Sequence, residues 1–175
     1  MRFVFSKFFY LLFAGGLVVL SFSWGRPSLR WAALAYDIAL IILAIVDARR
    51  SQLPKDVQII RTFSGRFAVG AETEVSVNIR NLQPHATTLV IKDEYPPRMK
   101  LSGLREAKIR IEARRSAALV YGVTPSRRGL FEFGHIAVRF LSRLNLVWCQ
   151  TNVGAPTSVK VYPNMRRARE AELKA

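Results

Sequence analysis

The chain has 175 residues, is half hydrophobic, and carries 27 Lys/Arg against 12 Asp/Glu for a formal net charge of +15. Its single cysteine, Cys149, excludes an internal disulfide and suits a reducing compartment. The 129 residues after Val46 suffice for one compact domain of ordinary size, and no internal repeat or low-complexity tract interrupts them.

Two apolar stretches come first. Val4 to Trp24 carries no charge after Lys7, and Trp31 to Val46 is apolar apart from Asp37. A spanning helix needs roughly 20 mostly apolar residues. Spans are predicted at about 4–24 and 29–48, the second reaching that length with Arg30 snorkelling to an interface. Gly25 and Pro27 punctuate the connection and turn the chain back. Residues 1–47 thus read as a two-helix transmembrane hairpin. Arg2, Lys7 and the terminal amine on one flank, with Arg49, Arg50 and Lys55 on the other, outweigh Arg26 and Arg30 in the loop. The positive-inside rule then puts both termini in the cytoplasm. The rival reading of the first stretch is a signal peptide, with a basic start and small residues at Ser21 and Ser23. It would leave one anchor and send the remainder to the other side.

Asp37 is the one residue whose position is expensive. A carboxylate at the centre of a span costs at least about 2.5 kcal/mol unless protonated, paired or near an interface. Two spans build no pathway, so Asp37 is expected to contact a helix of a partner or of a second copy.

Residues 48–56, broken by Pro54, read as a linker, after which the period changes from helical to two. Strand signals run over Val57–Phe63, a short apolar piece within Ser64–Gly70, Thr73–Arg80, Thr87–Tyr95, Ala107–Glu112, Ser116–Thr124, Leu130–Phe140, Leu144–Gln150 and Ser158–Pro163. In the clearest, Val75, Val77 and Ile79 alternate with Glu74, Ser76, Asn78 and Arg80, the pattern of a sheet with one buried and one wet face. About eight short strands, with turn signals roughly every 8–12 residues, predict an all-β, immunoglobulin-like sandwich, here over residues 57–163. Residues 164–175 form a basic tail; Arg166 to Ala175 has helical propensity but no apolar stripe.

The candidate chemistry is thin. His85 and His135 have no Cys or carboxylate at metal-ligand spacing. Asp93 and Glu94 are adjacent, so on a strand they point to opposite faces and make an ion pair or a strand end before an acid/base pair. Cys149 reads as a core thiol. Neither SGRFAVG nor SRRGLFEFG has the spacing of a phosphate-binding loop. From Ser51 onward, 21 Lys/Arg face 10 Asp/Glu, a balance of +11 that attracts anionic lipid headgroups or simply solvates a surface. Arg114, Arg115, Arg127 and Arg128 are the candidate interaction surface. Phe131 and Phe133 could stack on bases, but they share one strand face as core residues do, which disfavours nucleic acid.

VDARR (Val46–Arg50), RFAVGAETEVSVNIRN (Arg66–Asn81), DEYPP (Asp93–Pro97), YGVTPSRRGLFEFGHIAVR (Tyr121–Arg139) and VYPN (Val161–Asn164) together resemble the domain-of-unknown-function family numbered fifty-eight. That family joins an N-terminal hydrophobic hairpin to a β-sandwich and a C-terminal region similar to a von Willebrand factor A domain. The turn at Arg127–Gly129 entering an aromatic strand, with VYP at Val161–Pro163, is the most specific part. Ser142–Leu146 departs from the family's proline-leucine-glycine-leucine-like stretch. The sequence ends soon after Asn164, as a shortened form, a fragment or a truncated reading frame of the family would. The resemblance implies association with MoxR-type AAA+ ATPases and von Willebrand A-like proteins, in an assembly or chaperone-like role at the bacterial inner membrane.

The expectation is a non-enzymatic anchor in the lipid bilayer, without cofactor or metal, presenting a sandwich as a protein-interaction module at the cytoplasmic face. Self-association into a homo-oligomer is compatible with it. The alternative is a basic module that binds lipid or nucleic acid at the membrane surface.

Overall fold

A computed structural model describes residues 2–163, Arg2 by its backbone alone; the predicted basic tail lies outside the described residues. The elements in chain order are β1 (Arg2–Phe5), α1 (Lys7–Ser21), α2 (Pro27–Arg50), β2 (Val57–Phe63), β3 (Phe67–Ala68), β4 (Thr73–Asn81), β5 (Thr87–Asp93), β6 (Met99–Ser102), β7 (Glu106–Ile111), β8 (Ser116–Pro125), β9 (Gly129–Phe133), β10 (Ile136–Leu141), β11 (Val147–Val153) and β12 (Thr157–Tyr162). Among the described residues they fall into two compact units, one running to residue 54 with 139–151, the other 55–138 with the residues from 152 on.

In the first unit, Ser6 caps α1 by accepting from the Phe9 amide at 3.1 Å. Pro27 opens α2, where a residue lacking an N–H forfeits no intrahelical bond. On α2 the buried positions Ala33, Asp37, Leu40, Ala44, Asp47 and Ala48 recur at intervals of three and four and form one stripe. Trp31, Leu34, Ile38, Ile41 and Ile42 lie outside that stripe and are exposed. With 24 residues, α2 is long and apolar enough to cross a membrane, at about 36 Å against a hydrocarbon core of about 30 Å.

The predicted first span, 4–24, is corrected. α1 has only 15 residues, or about 22 Å of helix. The reason lies at its start: Arg2–Phe5 is extended and pairs antiparallel with β11, Phe3 opposite Cys149 and Phe5 opposite Val147. One helix, not clearly a two-span hairpin, therefore meets the length of a bilayer crossing. The turn from β10 to β11 is bound to both helices. Ser6 N donates to Leu146 O at 2.9 Å and Ser6 Oγ to Asn145 O at 2.5 Å. At the other helix, Leu144 N donates to the Asp47 carboxylate at 3.4 Å and Arg143 N to Ser51 Oγ at 3.2 Å. Residues 139–151, read from sequence as sandwich, thus belong with the helices.

In the second unit, β2, β4, β8 and β6 make an antiparallel sheet in that order. This is the A-B-E-D order of an immunoglobulin-type sheet, with β5 leaving between its second and third strands in sequence. β7 departs from that scheme: it follows β6 in the chain and pairs antiparallel with β5. β12 lies between β3, which it parallels, and β9, which it opposes. Val75, Val77, Ile79, Leu89, Ile91, Ile111, Val123 and Phe133 are at most 2% exposed and fill the space between layers. The unit is a β-sandwich, as the alternation predicts. The predicted strand Leu130–Phe140 is two, β9 and β10, parted at Gly134 and His135, and β6 was not predicted at all.

Candidate functional site

The turn that joins β8 to β9 is set by its backbone. Gly70 N donates to Pro125 O at 2.9 Å, and Ser126 Oγ donates to Arg98 O at 3.2 Å. Gly129 then starts β9 at a φ of 143°, a conformation that side chains disfavour. Between this turn and the segment Pro96–Arg98 lies an open cleft of about 670 Å³, lined on one side by Pro96, Pro97 and Arg98 and on the other by Ser126 through Glu132. Its charged side chains are Arg98, Arg127, Arg128 and Glu132, all exposed. Among the described residues none of the three arginines forms an ion pair. The cleft therefore offers a net positive charge to whatever enters it.

Of the four arginines predicted as one surface, the fold brings together two. Arg127 and Arg128 line the cleft, joined by Arg98, which local sequence gave no reason to choose. Arg114 and Arg115 sit in the turn before β8, Arg114 at a φ of 55° with its amide donating to Gln83 O. Ten residues of β8 separate the two pairs, about 30 Å of extended chain.

Asp37 is buried in the first unit, with Oδ1 lacking a hydrogen-bond partner. A Cβ at Gly16 would lie 2.1 Å from that oxygen. The helix it contacts is the chain's own α1, where sequence pointed to a partner or a copy.

Asp93 is fully buried and held from two strands. Arg61 approaches both carboxylate oxygens, Nε lying 2.9 Å from Oδ2, and its terminal nitrogen also donates to Gly134 O at 2.8 Å. The guanidinium carbon lies 5.2 Å from the centre of the Phe133 ring. Tyr121 donates to Asp93 Oδ2 at 2.7 Å. Burial, then the Asp93 charge and hydrogen bond, push the Tyr121 phenol above its usual range, against the opposing pull of Arg61 and Arg105. This cluster has no exposed face and acts as a clasp between layers.

The remaining candidates are engaged with backbone. Glu94 Oε2 accepts from the His135 amide at 3.2 Å, while His135 Nδ1 lies 2.8 Å from Gly154 O, so carboxylate and imidazole have separate partners. His85 supplies its carbonyl to Asn81 Nδ2 at 2.9 Å. The Cys149 thiol is buried, and burial, followed by the charge of Asp47, raises its pKa.

No protein-family model and no curated protein matches the chain. Solved structures similar to it include the CARDB domain of a Pyrococcus furiosus protein in complex with di-metal ions, at 14% identity over 64% of this chain and 100% of that one, with a TM-score of 0.41. Another is the ASH/PapD-like domain 7 of human CEP192, at 12% identity over 66% and 92%, with a TM-score of 0.42. A third is the FixG-related protein from Vibrio parahaemolyticus, at 8% identity over 62% and 98%, with a TM-score of 0.41.

Proposed function

We propose that this chain is a non-enzymatic membrane protein whose sandwich is a protein-interaction module at the cytoplasmic face, with the basic cleft as its contact surface. The observation that carries the reading is the cleft itself, where Arg98, Arg127 and Arg128 converge on one opening and only Glu132 opposes them. Charges so arranged steer an acidic partner and fix its register more than they add raw affinity. The exposed apolar side chains of α2 support membrane anchoring, since a surface of that kind is covered by lipid or by protein. The resemblance to the fifty-eight family directs the partner search to MoxR-type AAA+ ATPases and von Willebrand A-like proteins.

Two experiments test this. A reporter active only in the cytoplasm, fused after Ala175, is expected to give signal, and signal from an externally active reporter overturns the topology. Co-isolation from membranes with Arg98, Arg127 and Arg128 all changed to Glu is expected to lose the partner, while Arg114→Glu with Arg115→Glu keeps it. The competing reading, adsorption to anionic headgroups, predicts that both groups of arginines matter and that anionic vesicles bind the protein in a salt-sensitive way.

A further inference from the structure

β9 ends the three-strand order β3-β12-β9, and among the described residues no strand pairs with its other edge. Along a strand, successive side chains point to opposite faces. The cleft nevertheless touches Gly129, Leu130, Phe131 and Glu132 consecutively. A space that meets odd and even residues alike reaches the edge of the strand. The facing wall begins with Pro96 and Pro97, which have no N–H to donate and so cannot complete a ladder with β9 from that side. Unpaired main-chain groups thus line a space of about 670 Å³ rimmed by three arginines.

Exposed edges are commonly blunted by charge, a bulge or a cover. Here the arginines stand at the turn and on the opposite wall, and the strand itself carries one charge, the exposed Glu132, beside Leu130 at 75% exposure. We propose that β9 accepts an extended acidic segment of a partner protein as an added strand, the main chain supplying the ladder and the three arginines the selection for acidic residues. This rests on the reading of the cleft as a protein-contact surface and names how that surface works. A second copy of the chain is a poorer occupant, because it carries the same net charge of +15 and repels this one.

The test titrates the full-length protein in detergent with a peptide of about six residues, a usual strand length, alternating Glu and Val. Two companions carry N-methyl groups on alternate residues, one in each phase, which removes donors from one edge and leaves charge unchanged. Strand addition predicts that the parent binds, that Arg127→Glu with Arg128→Glu abolishes binding, and that at least one methylated phase binds at least about tenfold more weakly, the loss of two or so main-chain bonds. Equal binding by parent and both methylated peptides overturns strand addition and leaves the basic cleft standing. Binding indifferent to the arginines overturns both. No binding by the parent overturns strand addition, and the co-isolation experiment then judges the cleft separately. The methylated peptides need no change to the protein, so a misfolded variant cannot imitate the result.

Discussion

Tyr121, on β8 of one sheet, donates its hydroxyl to Asp93 Oδ2, on β5 of the other, at 2.7 Å. With Arg61 on the same carboxylate, the sandwich is fastened by an ionic clasp in a layer filled mainly by apolar side chains. Removing one member of such a pair leaves a buried charge uncompensated. Arg61→Ala is expected to destabilise the protein by about 3–5 kcal/mol and Tyr121→Phe by about 1–3 kcal/mol. Urea denaturation followed by circular dichroism checks both values. Their sum is expected to exceed the loss in the double variant, since both act on one carboxylate.

The raised Tyr121 pKa has a defined consequence for pH. Its folded value lies above the unfolded value of about 10, so between the two the unfolded chain has released a proton that the folded chain keeps. The stability contributed is complete below about pH 10 and falls as pH rises beyond it. Wild-type melting temperatures measured from neutral to strongly alkaline pH should drop more steeply than those of Tyr121→Phe.

Cys149 is expected to resist thiol reagents in the folded protein. It is fully buried, and its thiolate is disfavoured by desolvation and by Asp47. Labelling at mildly alkaline pH should be slow until denaturant is added. Fast labelling in the native state would mean that residues 139–151 open readily from the helices.

Gly16→Ala tests the packing of the helix pair. The added methyl meets Asp37 Oδ1 at 2.1 Å and its carboxyl carbon at 2.8 Å, so the side chain or the helix must shift. The variant is expected to melt at lower temperature in detergent, and Asp37→Ala in the same chain to restore it. If the second change restores nothing, the carboxylate is not what the methyl displaces.

The alternation of Val75, Val77 and Ile79 made β4 legible, and the buried face lies where it predicts. β1 was hidden because Phe3–Phe5 is only a short apolar run just before α1, and such a run carries no period that separates strand from helix. β6 was hidden between Pro97 and Gly103: Met99, Lys100, Leu101 and Ser102 do alternate, but four residues are too short a run to tell a strand from a turn. At the site, Arg127 and Arg128 stand out as a basic pair in a turn, but Arg98 joins them only because β6 and β8 pair, with Met99 opposite Pro125. Arg61 escaped notice for the same reason, since 32 residues separate it from Asp93 and no local pattern reaches that far.

The hydrogen bond from Ser6 to Asn145 joins positions 139 residues apart in sequence. During synthesis, the opening strand therefore emerges from the ribosome long before the segment it will pair with exists. α1 and α2 are made first and pass the time with one end untethered, and the unit that holds them closes only once β11 has been made. Anything that halts synthesis before Val147 would leave a pair of apolar helices and an orphaned strand, a form suited to recognition by quality control.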